Sequence, residues 1–128
     1  MTLNAAILKK PCDLIGVGHL GIGFGLFGFL APSFTLGALD LTTTNSNMGL
    51  SEMRASVGGL FVVTAAAAIW LGTPMAFTML GFVYAGAALG RFVSLALDNP
   101  PFVKALMFGG IEAALAAFLI LANMSRSA

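Results

Sequence analysis

The chain alternates long apolar runs with short polar breaks, and the breaks set the elements. From Leu14 to Ala31 there are 18 residues without a formal charge, LIGVGHLGIGFGLFGFLA. At about 1.5 Å per residue that run reaches roughly 27 Å, close to the thickness of a bilayer core. After Pro32 comes SFTLGALDLTTTNSNMG, rich in Thr, Asn, Ser and Gly, so 32–50 reads as the longest loop outside the membrane. Between Arg54 and Arg91 lie 36 residues with no charge, too many for one span and enough for two. Gly72-Thr73-Pro74 divides them as a tight turn, with Gly past one helix, Thr as cap and Pro at the first position of the next. Asp98-Asn99-Pro100-Pro101 ends the third run and starts a fourth. The pattern predicts an all-α membrane protein, a single bundle of four transmembrane helices over about 14–31, 52–71, 75–97 and 102–122, with residues 1–128 one integral membrane domain. Ser51 is expected to cap the second helix, with Glu52 in its first turn.

Composition moves the chain firmly into a bilayer. It is 59% hydrophobic and 9% charged, with a mean hydropathy of +0.98, whereas soluble domains carry about 25% charged residues. The net charge of +1 and the absence of any basic run exclude nucleic acid as a partner. One cysteine, Cys12, and one histidine, His19, exclude an intrachain disulfide, a Cys/His zinc site and a bis-histidine haem. No CxxC occurs, and no cofactor or metal is implied. Cys12 reads as a reduced thiol at the interface, with palmitoylation the alternative. His19 reads as an interfacial or packed side chain before a ligand. Trp70 reads as an interface anchor.

The N-terminal run also has the outline of a signal peptide, because Lys9 and Lys10 precede an apolar core. It exceeds the roughly 7–15 residues of an h-region, and Ala31 is followed by Pro32, so it is read as a span. Gly16, Gly18 and Gly21 match GxGxxG inside that span, but no strand precedes them, and nucleotide binding is rejected. Gly21 and Gly25 form a GxxxG pair suited to close helix packing, a role also given to Gly58, Gly59 and Gly109. Four spans put both termini on one side. Lys9, Lys10 and Arg126 then oppose Lys104, Arg54 and Arg91, and the pair flanking the first helix places the termini in the cytoplasm. The localisation expected is a multi-pass protein of a bacterial inner membrane.

The buried charges are the candidate chemistry. Counting along the helices puts Arg54 roughly 6 Å inside the second helix, Arg91 roughly 10 Å from the end of the third, and Glu112 roughly 18 Å past Pro100, near the midplane. A lone carboxylate there costs roughly 2.5–3.5 kcal/mol, so Glu112 is protonated or paired, and Arg91 is its natural partner. Gly81, Tyr84, Ala88, Arg91, Leu95 and Asp98 recur at helical spacing, as do Ala105, Gly109, Glu112, Ala113 and Ala116. Two readings stay open. In one, Glu52, Arg54, Tyr84, Arg91, Asp98 and Glu112 line a pocket, open to the non-cytoplasmic side, for a lipophilic or anionic molecule such as a lipid or quinone. In the other, these charges neutralise each other and fix register, and the chain is an accessory subunit docked on a membrane-protein partner or on a second copy of itself. No catalytic motif is recognisable.

GLSEMRASVGG at 49–59, ALGRFVSLALD at 88–98 and the acid in GGIEAALAAF at 109–118 resemble the small bacterial membrane family known as domain of unknown function 4345. The resemblance implies four membrane helices and no established activity. More remotely, the size and the acid-plus-arginine pattern are similar to DoxX-like membrane proteins, which implies quinone or thiol redox chemistry for some relatives.

Overall fold

The computed structural model describes the backbone of residues 11–127 and side chains from 14 to 124. Lys9 and Lys10, on which the orientation rests, lie outside the described residues, as do the side chains of Cys12 and Arg126. Among the described residues every regular element is helical: α1 Pro11–Leu30, α2 Pro32–Ala38, α3 Met48–Leu71, α4 Pro74–Leu97 and α5 Phe102–Ser127. The all-α reading of the sequence therefore holds. Three helices (α3, α4 and the α5 stretch Phe102–Met124) are long and apolar enough to cross a membrane, and Leu14–Leu30 with Pro32–Ala38 makes a fourth if a pair bent by 109° counts as one span.

The described chain forms two compact units. In the unit Ile15–Trp70, α1 buries Gly18, Gly21, Gly25 and Gly28, a stripe spaced alternately three and four residues apart. That spacing keeps one face of a helix in register with a neighbour, and the missing side chains let the backbones approach. A β-carbon on Gly18 would sit 2.8 Å from the Ile69 side chain, one on Gly25 3.0 Å from Gly58 O, and one on Gly28 2.9 Å from Gly58 N. The tightest point is Gly58, where a β-carbon would lie 2.6 Å from Phe29 N. Gly59 plays a different part. It is half-buried, and its near neighbour is Arg54 O of its own helix.

Two features of this unit depart from the expected helices. Pro32 has no N–H to give Gly28 O, so α1 stops at Leu30 and the chain restarts as α2 with Pro32 in its first turn. The stretch read as loop thus contains a seven-residue helix. The other departure is in α3, which begins at Met48, earlier than Ser51. Its N-cap residue is Asn47, which makes no side-chain cap. Met48 N bonds to Ser46 Oγ (3.3 Å), and Ser51 sits exposed inside the helix. From Met53 to Gly59 α3 widens into a π-helix, with Leu60 N donating to Ala55 O five residues back. The adjacent glycines at 58 and 59 weaken the preference for α geometry at its end.

In the other unit, α4 and α5 form a hairpin. Gly72 adopts φ 63°, a left-handed conformation suited to glycine, and Thr73 Oγ1 accepts from Ala76 N (3.2 Å) just before Pro74. This is the turn the sequence predicts. Asp98 N caps α4 through Ser94 O (2.8 Å), and Asn99 turns the chain at φ 52°. Gly81 packs against Leu119 and Ile120, and Gly109 against Arg91 and Phe92, which sets an antiparallel register along the pair. Gly81, Tyr84 and Ala88 on α4 and Gly109, Ala116 and Leu119 on α5 are buried, at the recurrences that bring one helix face to another.

Candidate functional site

The six candidate residues fall in two groups, Glu52 and Arg54 on α3, and Tyr84, Arg91, Asp98 and Glu112 on α4 and α5. In the second group Arg91 Nε donates to Glu112 Oε2 at 2.8 Å. Arg91 lies six residues before the end of α4 and Glu112 ten residues after the start of α5, roughly 9 and 15 Å along their helices. Both depths run from the same 98–101 turn, so Arg91 stands beside Gly109 and its long side chain reaches roughly one helical turn further along α5 to Glu112. The guanidinium is also stacked, with Cζ 5.2 Å from the centroid of Phe108, within the range of a cation–π contact. Phe108 stands four residues before Glu112, so one helical face supplies both the carboxylate and the ring.

This arrangement uses one edge of the arginine. Nε faces Glu112 and the ring covers part of the guanidinium plane, while Nη1 and Nη2 make no further hydrogen bond among the described residues. The side chain of Arg91 is 33% exposed and that of Glu112 16%. A planar guanidinium held on one edge can offer its remaining donors to a carboxylate, phosphate or carbonyl oxygen. Glu112 both orients the arginine and offsets its charge. Tyr84 is buried on α4, two turns before Arg91 on the same face, and Asp98 is exposed at the end of α4.

The first group is built differently. Arg54 Nη1 donates to Phe29 O, one of the last carbonyls of α1. Ser33 N, the intrahelical partner that carbonyl would have in an unbroken helix, lies past the bend. A cation at a helix C-terminus also meets the negative end of its dipole. Arg54 thus caps the broken helix. Glu52 accepts from Ser56 Oγ one turn on, within α3. Arg54 lies six residues after Met48, deeper than the sequence count because the helix starts earlier. His19 Nδ1–H donates to Ile15 O (2.8 Å) in its own exposed turn.

Sequence reasoning missed Phe108, Ser56 and the Phe29 carbonyl. The first two carry a spacing signal, FGGIE at 108–112 and EMRAS at 52–56, each joining its pair at i, i+4. The carbonyl carries none, because every residue has one.

The fold and site define a class: an all-α protein with three to four helices fit to cross a membrane and an arginine–glutamate pair between two of them. Residues 13–123 match the family described as Domain of unknown function (DUF4345), and the chain belongs to that family. Neither a curated protein nor a solved structure matches it.

Proposed function

We propose that this chain is a multi-pass protein of a bacterial inner membrane, with both termini in the cytoplasm, that binds a lipophilic molecule bearing an anionic or carbonyl head, such as a lipid or quinone. The observation that carries the reading is the half-used guanidinium of Arg91, oriented by Glu112 and Phe108 with its Nη edge unpaired among the described residues. Placing such charges between apolar helices is costly, and charged groups so placed commonly mark ligand or ion sites. Arg91 binds the head, Glu112 holds the arginine's orientation and can exchange a proton with the ligand, and Tyr84 supplies a phenol two turns away.

The test is native-lipid extraction followed by mass spectrometry of co-purifying molecules. Arg91→Ala and Glu112→Gln are expected to lose the bound molecule while the protein still inserts and stays monodisperse. Retention at the wild-type level in both variants would sink the reading. A second reading, an accessory subunit docked on a membrane partner, draws on Gly86 and Gly90. They are exposed one turn apart on α4 with nothing within 4 Å of a β-carbon, a spacing used for helix contacts. Gly90→Leu would then release the chain from its complex, and purification as a lone monomer from native membranes would count against it.

A further inference from the structure

We propose that α2 is no continuation of a membrane span but an interfacial helix, lying along the bilayer surface at the end of α1 with Phe34 seated at the headgroup–acyl boundary. The inference rests on the membrane reading and adds which part of the chain meets the lipid surface, and how.

Length comes first. Leu14–Leu30 alone covers roughly 26 Å of a core about 30 Å thick, so α1 has nearly crossed before Pro32. The axis then turns by 109°. With α1 within the usual tilt of about 20° from the bilayer normal, α2 runs close to the membrane plane. The corner is held from inside. Arg54 caps Phe29 O, Thr35 N and Thr35 Oγ1 both donate to Ala31 O (3.0 and 2.9 Å), and Pro32, Thr35 and Leu36 are buried, with α2 packed on the start of α3. A backbone break of this kind survives in an apolar medium where its polar groups are satisfied within the protein.

The outer surface of the corner then decides what it meets. Leu30 is 69% exposed and Phe34 68%, with Leu41 and Met48 also open. The Phe27 and Phe34 rings lie 6.2 Å apart across the bend and tie the apolar surface of α1 to that of α2. The exposed polar residues 44–47, TNSN, follow directly, so apolar and water-seeking surfaces meet within a few residues. Between Pro32 and Gly59 the charges are Asp40, Glu52 and Arg54, a net of −1. A surface with that balance has no electrostatic pull on anionic lipid, so burial of Phe34 and Leu30 supplies the attraction.

The test uses the full chain with Trp70→Phe, carrying a single new tryptophan at Phe34 or, as a deep reference, at Phe24 midway along α1. Each is reconstituted in phosphatidylcholine nanodiscs whose acyl chains are brominated near the glycerol or near the terminal methyl. Phe34→Trp is expected to be quenched about twofold more by the shallow bromines than by the deep ones, with Phe24→Trp showing the reverse preference. A Phe34→Trp profile matching that of Phe24→Trp makes α2 part of a broken span and overturns the inference. Quenching of Phe24→Trp alone overturns it as well, since α2 would then be covered by water or protein. If neither is quenched, the membrane reading itself fails and this inference falls with it.

Discussion

Arg54 and Arg91 are the same residue at similar distances from a helix end, yet the two units give them different partners. Arg91 meets a carboxylate from the neighbouring helix of its hairpin, and its charge is offset by another. Arg54 meets a backbone carbonyl, where the partner is a dipole and the charge stays whole. The difference follows from how each unit treats its backbone. In α4 and α5 the backbone is satisfied along both helices, so a cation there must find a side chain. In the unit Ile15–Trp70, α1 is broken at Pro32, and an orphaned carbonyl is available at the depth Arg54 reaches. An arginine in an apolar helix can therefore report a charge to be matched or a broken helix to be mended, and only the partner tells which.

The comparison can be broken in several places. The largest effect is expected at the glycine crossing that brings Arg54 to α1. Gly58→Val puts a branched side chain where a β-carbon already lies 2.6 Å from Phe29 N, and the loss should reach about 3 kcal/mol, the upper end for overpacking. An unfolding titration in mixed micelles measures it; a wild-type midpoint would mean that the two backbones do not lie in contact. Next is Arg91→Gln, which removes the cation that Glu112 needs and should cost about 2 kcal/mol, while Arg91→Met combined with Glu112→Met should recover most of it. The coupling energy from the cycle of Arg91→Met, Glu112→Met and the double variant is expected at about 1–2 kcal/mol, and strictly additive effects would remove the pair from the account.

Arg54→Gln supplies the sharper contrast. A glutamine amide can still donate to Phe29 O but cannot neutralise a carboxylate, so the same substitution should cost about 1 kcal/mol or less at position 54, well below its cost at 91. Equal losses at the two sites would show that Arg54 works through its charge. The smallest effect is expected for Ser56→Ala, which removes the exposed bond to Glu52 and should shift stability by about 0.5 kcal/mol.

The pairing of Arg91 with Glu112 was legible because both are charges in uncharged runs, and residue counting gives depth in a helix of known rise. The face Gly81–Tyr84–Ala88–Arg91 was legible from its spacing alone. Glu52 and Arg54 were read with the other charges as lining one pocket; a sequence shows that a charge needs a partner and not whether that partner is a side chain or a backbone atom. The glycine contact was half visible. Gly25 and Gly58 stand out in any scan for small residues, whereas Gly18 and Gly28 are marked only by the neighbours they meet.

By itself the sequence determined the helical class, the turn at Gly72-Thr73-Pro74, the end of α4 at Asp98 and the need of Glu112 for a proton or a partner. These depend on chain-local properties: apolar length, the missing N–H of proline, the left-handed freedom of glycine, and the cost of an unpaired charge. Pro32 ends α1 and the glycine pair loosens α3, but tertiary structure decided the 109° angle of the corner, the π-helical form of Met53–Gly59 and the capping of Phe29 O by Arg54. All three lie where Gly58 meets the backbone of α1. An approach between two backbones is written in no side-chain pattern, and which carbonyl is left open is known only once the helix has broken.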